Sequence, residues 1–379
     1  MNKALLLLFG LFFFWLPLLT TAQSYLAGKL DSFMQAQVAS EKFNGNVLVA
    51  QSGKIIYQKA FGYRNYNTKE VLDNQSVFEL ASLSKPFTAM GILLLVEKNQ
   101  LKLSDTLRKF FPQLPYSRVT LQHLLTHTAG LPDYMDMLKN WSAAKAASNK
   151  EVINFLAESR PVAYFKPGEQ WKYSNTGYVL LASILEQVTG QTFSDYLTKY
   201  IFRPLKMAHS RVYLSKQTGE QFSNYATGYV YSDRRKRYVP PDSLLTYNFV
   251  IPQAGIQGDG GVHSTTADLL KWDRALKKNQ LLSPATQQQM LAAQVAIDPS
   301  SGMYVATGVQ HYGYGMGVGQ NKYGNYLWHG GNRPGYATNL IRYVAPDVTI
   351  IVLANCTTSD NTSQVLKISN GIADLVLGK

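Results

Sequence analysis

Apolar residues recur at helical spacing near the start of the chain, at Leu26, Leu30, Phe33 and Val38. This spacing predicts a first helix over about residues 24–43. Two strand-like runs follow at residues 46–51 and 54–62. Ser52 and Gly53 lie between these runs and predict the turn that joins them.

Strand-like runs return toward the end of the chain, at residues 325–328, 338–344 and 348–355. Pro346-Asp347 supplies turn residues between the last two runs, so we expect neighbouring antiparallel strands. Residues 363–377 then predict a closing helix.

The middle of the chain has a mixed pattern in which helical spacing dominates. Ser82 opens an apolar helix that ends near Asn99, and residues 178–189 and 193–200 are further helical stretches. Strands at both ends with helices between them predict an α/β (α+β) fold. We expect an antiparallel sheet, flanked by N- and C-terminal helices, with an inserted and mostly helical lobe.

This pattern divides the chain into two interlocked lobes of one domain. We place the sheet lobe at about residues 23–80 and 256–379, and the helical lobe at about residues 81–255. Residues 138–150 are rich in Ala, Ser, Asn and Lys, and we expect them to form an exposed loop or surface helix.

Residues 1–22 match the pattern of a secretory signal peptide. Lys3 precedes an apolar run over residues 4–19, and Thr20-Thr21-Ala22 offers the small residues that a signal peptidase needs. We expect cleavage after Ala22 and a mature chain over residues 23–379, in the periplasm or outside the cell. An uncleaved N-terminal anchor is the alternative. No later run is long enough to span a bilayer, so we expect no stable membrane span after cleavage.

The chain carries a formal net charge of +13. For an exported protein this favours anionic cell-envelope polymers as partners, and only the charge itself would support binding to nucleic acid. The densest basic cluster, residues 234–237, has strand-like runs on both sides and predicts a solvated hairpin tip.

Cys356 is the only cysteine, which excludes an intramolecular disulfide and a multi-cysteine metal site. We expect a buried and unreactive thiol there.

Candidate chemistry lies in three short motifs: Ser82-Leu83-Ser84-Lys85, Tyr173-Ser174-Asn175 and His329-Gly330-Gly331. Residues three apart on a helix share a face, so Lys85 should lie beside the Ser82 hydroxyl. A serine hydroxyl is a weak nucleophile until a nearby base takes its proton, and a buried lysine can act as that base. The start of a helix also favours negative charge developing at the serine.

Each pattern recurs elsewhere, at Ser142 to Lys145, at Tyr63 and Tyr323, and at His311, so context has to decide. The copy at Ser142 lies in a polar stretch and is interpreted as surface. Tyr173 follows a turn signal and precedes a helix, where functional groups are often presented. His329 follows a strand-like run, and glycines after it allow a substrate backbone to approach the strand.

In this order the motifs resemble those of the penicillin-recognising serine hydrolases: class C β-lactamases, D-Ala-D-Ala carboxypeptidases, D-aminopeptidases and esterases. Residues 124–132, 260–265 and 312–317 resemble further segments of that family. The resemblance extends from about residue 45 to residue 355, nearly the whole mature chain. It is specific for the family and much less so for one activity.

The resemblance implies a role for each motif residue. Ser82 would be the acylated nucleophile, and Lys85 and Tyr173 would share the duty of general base. Asn175 would bind Lys85 or a substrate amide.

The same resemblance implies an oxyanion hole and a substrate-binding strand. The backbone N–H groups of Ser82 and Asn332 would form the oxyanion hole, and His329 and Gly331 would line the strand edge where the substrate lies. It implies no metal and no cofactor.

The third motif departs from most of the family, in which lysine usually stands at the position of His329. A histidine is mostly neutral at neutral pH unless a carboxylate raises its pKa, so binding of a substrate carboxylate should be weaker. Arg333 is a candidate to restore the charge. The His-x-Gly form resembles the D-aminopeptidase, esterase and carboxypeptidase-like branches.

The sequence therefore predicts a periplasmic or secreted serine hydrolase that acts through an acyl-enzyme on small amides or esters. Peptides of the cell wall that contain D-amino acids are candidate substrates. A class C-like β-lactamase is the alternative within the enzymes. A catalytically inactive binder or sensor of wall peptides is the alternative of another class.

Several residues also have a purely structural interpretation. Ser82 could simply cap a helix, Tyr173 could pack in the core, and His329 could satisfy a backbone group. For Trp171 and Tyr336, a place in the cleft wall and a place in the core are left open.

His127 and His263 are the other candidate bases. Both lie in segments that look like turns supporting the fold, and we expect structural roles for them.

Overall fold

The computed structural model describes residues 24–40, 43–214, 222–357 and 361–378. The predicted signal peptide lies outside these residues. Within the described ranges, no helix is both long enough and apolar enough to cross a membrane.

Strands occur at both ends of the chain and in short pairs between them. In chain order they are β1 (Gly45–Gln51), β2 (Lys54–Phe61), β3 (Tyr63–Asn65), β4 (Glu70–Val71), β5 (Phe78–Glu79), β6 (Arg211–Val212), β7 (Tyr229–Ser232), β8 (Arg237–Val239), β9 (Val262–Ser264), β10 (Val295–Ala296), β11 (Val309–Tyr312), β12 (Gly317–Asn321), β13 (Gly324–Arg333), β14 (Tyr336–Tyr343), β15 (Val348–Ala354) and β16 (Cys356–Thr357).

Helices fill the middle of the chain and close both ends. They are α1 (residues 24–39), α2 (Lys85–Glu97), α3 (Leu107–Phe110), α4 (Leu121–Leu125), α5 (Met135–Leu138), α6 (Asn149–Ser159), α7 (Asn175–Thr189), α8 (Phe193–Leu197), α9 (Val250–Gln253), α10 (Thr266–Lys277), α11 (Pro284–Leu291), α12 (Gly302–Thr307) and α13 (Asn361–Leu377). A π-helical turn, Thr198–Phe202, continues α8, where the sequence predicted one helix over residues 193–200.

The main sheet has eight antiparallel strands in the order β10-β11-β12-β13-β14-β15-β1-β2. β1 pairs with β2 on one side and with β15 on the other, so the two ends of the chain share one sheet. This confirms the predicted fold class. The helices between β2 and β10 form most of the second lobe, whose limits stay a prediction.

The two faces of the sheet belong to two apolar cores. On β1, Leu48 and Ala50 pack into the core formed with the central helices, whereas Val47 and Val49 pack into the core formed with the terminal helices. This follows from the strand period of two residues. β15 is buried along its whole length, because α10 and α13 both contact it. A continuous apolar run is typical of such a doubly covered strand.

A buried charge network fixes α10 to the turn between β14 and β15. Asp273 is 1% exposed, accepts a hydrogen bond of 2.8 Å from the Thr349 hydroxyl and forms an ion pair with Arg274. Arg342 lies 3.7 Å from Asp273, and Arg274 donates to both carboxylate oxygens of Asp347 at 2.8 and 3.0 Å. The network therefore connects the helical core to the sheet through charged groups.

Two surface predictions can be compared with the structure. Residues 233–236 form the exposed turn of the β7–β8 hairpin, and Arg237, also exposed, begins β8. Ser142 and Lys145, the second Ser-x-x-Lys copy, are exposed on the loop between α5 and α6.

The only cysteine, Cys356, is 2% exposed. Burial raises the pKa of its thiol to about 12. Because the thiolate is the reactive form, we expect a disulfide reagent at neutral pH to leave the native protein unmodified and to react with one thiol after denaturation. Absorbance of the released thiolate measures both reactions, and rapid modification of the native protein would contradict the assignment.

Candidate active site

Ser82 lies on a 3-10 turn, Ala81–Ser84, that leads directly into α2. The sequence predicted an α-helix from Ser82 onward, and the structure places the serine one turn before the α-helix. Ala81 has a φ of 48°, a left-handed conformation that is uncommon for alanine. The turn holds Ser82 half-buried at the junction of α2 and the main sheet.

β13 runs close against this turn. A Cβ atom on Gly331 would lie 2.1 Å from the Leu80 carbonyl oxygen and 3.0 Å from the Ser82 nitrogen. Thr338, on β14, also holds the turn against the sheet, because its hydroxyl donates to the Leu80 carbonyl oxygen at 2.9 Å. Only a glycine at 331 allows the strand to approach the backbone of the serine so closely.

Lys85 is fully buried at the first residue of α2. Its Nζ donates to three oxygens: Ser82 Oγ at 3.2 Å, Asn175 Oδ1 at 2.9 Å and the Asp259 carbonyl oxygen at 2.9 Å. The predicted contact between Ser82 and Lys85 is therefore present. The second motif contacts the same lysine through Asn175.

The second motif lies at the start of α7. Ser174 is the N-cap residue, and its hydroxyl accepts a hydrogen bond of 3.2 Å from the Gly177 N–H. Asn175 is the first helical residue and Tyr173 the last residue before the cap. Lys85 Nζ lies 4.8 Å from the centre of the Tyr173 ring. The Tyr173 hydroxyl is buried and has no hydrogen-bond partner among the described residues.

Residues in or next to the further segments that carry the family resemblance contact the site. Asp259, just before β9, presents its carbonyl to Lys85 while its carboxylate accepts from the Tyr134 hydroxyl at 2.8 Å. Gly315, between β11 and β12, has a φ of 79° and would place a Cβ 3.2 Å from the Lys85 carbonyl oxygen. Thr176 donates to the Pro132 carbonyl oxygen at 2.7 Å. Segments distant in sequence thus meet around Lys85.

His329 faces this site from β13 as a neutral imidazole. Its Nδ1 lies 2.8 Å from the Gly330 carbonyl oxygen, which can only accept, so Nδ1 carries the proton. Its Nε2 then accepts from the Tyr312 hydroxyl at 3.0 Å. Burial first, and the charge of Lys85 second, lower the pKa of His329 to about 3. The third motif therefore presents no cation at this position.

Arg333 does not replace the missing charge. It forms an ion pair with Glu79, and its Nη2 donates to the Val250 carbonyl oxygen at 3.4 Å. The side chains of Arg333 and Glu79 are only 13% and 11% exposed. The positive charge of Arg333 is therefore neutralised by Glu79, a buried carboxylate.

A cavity of about 720 Å³ borders this ion pair. Glu79, Arg333, His263 and Tyr336 are among its lining residues, whereas Ser82 and Lys85 are not. The Tyr336 hydroxyl donates to the Ala226 carbonyl oxygen at 2.9 Å, which fixes this wall.

His127, for which the sequence predicted a structural role, packs against the second motif. The sequence predicted a turn over residues 124–132 and did not indicate which of its side chains would contact the site. The structure buries His127 completely, with its ring centre 4.3 Å from that of Tyr173 and 4.7 Å from that of Tyr312. Trp171 packs against the same histidine, with 6.1 Å between ring centres.

No group of three or more His, Cys, Asp or Glu side chains in the described part of the chain is arranged to hold a metal ion.

Comparisons with known proteins give matches over most of the chain. The family model described as Beta-lactamase matches residues 30–370. Penicillin-binding protein 4* of Bacillus subtilis (strain 168) is 41% identical over 329 residues, which are 86% of this chain and 71% of that protein. A penicillin-binding protein structure from Bacillus halodurans has a TM-score of 0.76 at 25% identity and covers 90% of this chain and 98% of its own. The octameric penicillin-binding protein homologue from Pyrococcus abyssi has a TM-score of 0.77 at 30% identity and covers 93% of this chain and 77% of its own.

Proposed function

Because this chain belongs to the beta-lactamase family and is a serine hydrolase of that family, we propose that it cleaves small amides or esters through an acyl-enzyme on Ser82. The observation that carries the proposal is the 3.2 Å contact between Ser82 Oγ and Lys85 Nζ.

The hydrogen-bond partners of Lys85 suit a general base. A neutral amine has two N–H groups and one lone pair. The Asn175 and Asp259 oxygens can only accept, so they would take the two N–H groups and orient the lone pair toward Ser82. The serine hydroxyl would then donate to Lys85 and transfer its proton as Oγ attacks the substrate carbonyl.

The family resemblance supplies the groups for the remaining steps. The tetrahedral oxyanion would accept hydrogen bonds from the backbone N–H groups of Ser82 and Asn332, and loss of one such donor typically costs about 10²–10³ in rate. The proton held by Lys85 would pass through the Tyr173 hydroxyl to the leaving amine or alcohol as its bond to the carbonyl carbon breaks. Water would then attack the acyl-enzyme, with Tyr173 taking its proton.

The charge of the third motif bears on which substrates the site can bind. His329 is neutral and Arg333 is paired, so neither offers a free positive charge to a substrate carboxylate. We infer that neutral amides and esters fit this site better than penicillins do. Wall peptides that contain D-amino acids stay candidates, and a class C-like β-lactamase stays the alternative. Membership of a family of serine hydrolases and the Lys85 contact disfavour an inactive sensor.

We also propose that the enzyme is exported and works at the cell envelope. The apolar run over residues 4–19 supports export. The net charge of +13 supports weak binding to anionic envelope polymers.

A labelling experiment tests the proposed function. We expect a fluorophosphonate and a fluorescent penicillin each to modify one residue, Ser82, as located by mass spectrometry. Ser82→Ala should abolish the labelling. Ser142→Ala is the matched control, because it removes the serine of the second, exposed Ser-x-x-Lys copy and should change nothing.

Turnover then separates the substrate classes. We expect faster hydrolysis of a nitrophenyl ester or a D-amino-acid amide than of nitrocefin. Labelling at any other residue, or no labelling by either probe, would refute the mechanism, whereas rapid nitrocefin turnover would favour the β-lactamase.

A further inference from the structure

We propose that His127 is a positioning residue that sets the second motif against Lys85, an inference that rests on the proposed function. It holds three consecutive residues at once. Its carbonyl oxygen accepts from the Lys172 N–H at 2.9 Å, its Nδ1 accepts from the Ser174 N–H at 3.1 Å, and its ring packs on that of Tyr173.

The contact to Ser174 is the one that reaches the chemistry. Ser174 lies between Tyr173 and Asn175, and Asn175 Oδ1 binds Lys85 at 2.9 Å. A shift of the Ser174 backbone would therefore move the phenol and the amide together. One acceptor on His127 thus sets the position of two groups that the proposed mechanism uses.

This acceptor exists only in the neutral ring. Because Nδ1 accepts from Ser174, the proton lies on Nε2, and a second proton on Nδ1 would break the contact. The titratable groups that face the ring are Lys85 from α2, Tyr178 from α7, Tyr312 from β11 and His329 from β13, with Tyr173 beside them. Burial first, and Lys85 second, hold the pKa of His127 well below its usual value.

Burying a histidine at position 127 costs free energy, because one N–H group of its ring is left without a partner. Nε2 is buried and has no hydrogen-bond partner among the described residues. An apolar side chain would fill the same space without burying an unpaired N–H group. What histidine adds over such a side chain is Nδ1, at the distance that the Ser174 N–H requires.

Variants that separate the acceptor from the ring test the inference. His127→Asn keeps an oxygen near the Nδ1 position and tolerates the positive φ of this residue, but lacks the ring. His127→Phe keeps a ring without an acceptor. We expect His127→Phe to lower kcat for an ester about 30-fold with KM within threefold, and His127→Asn to recover at least a third of the lost rate.

Two further variants complete the design. His127→Gln places its amide near the Nε2 position, where it cannot reach Ser174, and should resemble His127→Phe. It serves in place of the phenylalanine variant if that variant does not fold. Asp273→Asn is a control for lost stability, because Asp273 lies in the charge network on α10, and it should leave kcat of the folded enzyme unchanged.

Each outcome decides the matter. Wild-type kcat in His127→Phe and His127→Gln, or equal losses in the asparagine and glutamine variants, would overturn the inference. So would rates that fall only with the folded fraction. These results leave Ser82 labelling of the wild-type protein intact, whereas failure of the proposed function would show as absent labelling in the wild-type protein itself.

Discussion

Replacing Lys85 with methionine is expected to lower the rate of Ser82 acylation by about 10³–10⁴-fold, near the upper range for the loss of a general base. Methionine has a similar length and no polar end, so it can occupy the fully buried position of Lys85. The variant would lose the group that takes the proton from Ser82 and the donor that orders Asn175.

The rate is measured as the burst of product from an activated ester, with the thermal midpoint recorded in parallel. Lys145→Met is the matched control, since Lys145 is the exposed lysine of the second Ser-x-x-Lys copy and is 68% exposed. A Lys85→Met variant that retained a tenth of the wild-type acylation rate would rule out the proton-transfer role of Lys85.

Replacing Asp273 with asparagine is expected to lower the free energy of unfolding by about 3 kcal/mol, because breaking a buried ion pair leaves a buried charge without compensation. Asp273 is 1% exposed and lies between Arg274 and Arg342, so the change removes the carboxylate that both guanidinium groups face. Asp347 remains for Arg274, which limits the loss.

Urea denaturation followed by fluorescence gives this free energy. Asp136→Asn is the control, because Asp136 pairs with Lys139 at a site where the two side chains are 53% and 74% exposed. Exposed ion pairs contribute little, so the midpoint of this control should not move. Equal effects in the two variants would mean that the network of Asp273 is not a determinant of stability.

The parts of the molecule that sequence reasoning found were those governed by local spacing. The apolar runs that predicted β14 and β15 follow directly from a strand buried on both faces, and the turn at Asp347 takes a φ of 49°. The nearness of Ser82 and Lys85 follows from helical geometry, although the serine itself lies on a tighter turn.

Contacts between distant segments were beyond such reasoning. Nothing local to Arg333 shows that Glu79, which lies 254 positions earlier, neutralises it. His127 likewise meets Ser174 only because α4 and α7 pack together, which helical spacing within either segment does not reveal. Spacing predicts which face of an element is apolar, whereas the partner of a polar group depends on the whole fold.

The position of β1 in the main sheet has a consequence for how the polypeptide reaches its folded state. Gly45 is paired with Phe61 on one side but with Ala354 on the other, so one edge of β1 is completed only by β15, which lies far along the chain. Closing so long a loop slows folding, and unpaired strand edges promote aggregation. A chain that stops before Val348 would lack β15 and would leave one unpaired edge on β1 and one on β14. The sheet can therefore close only after β15 has been synthesised.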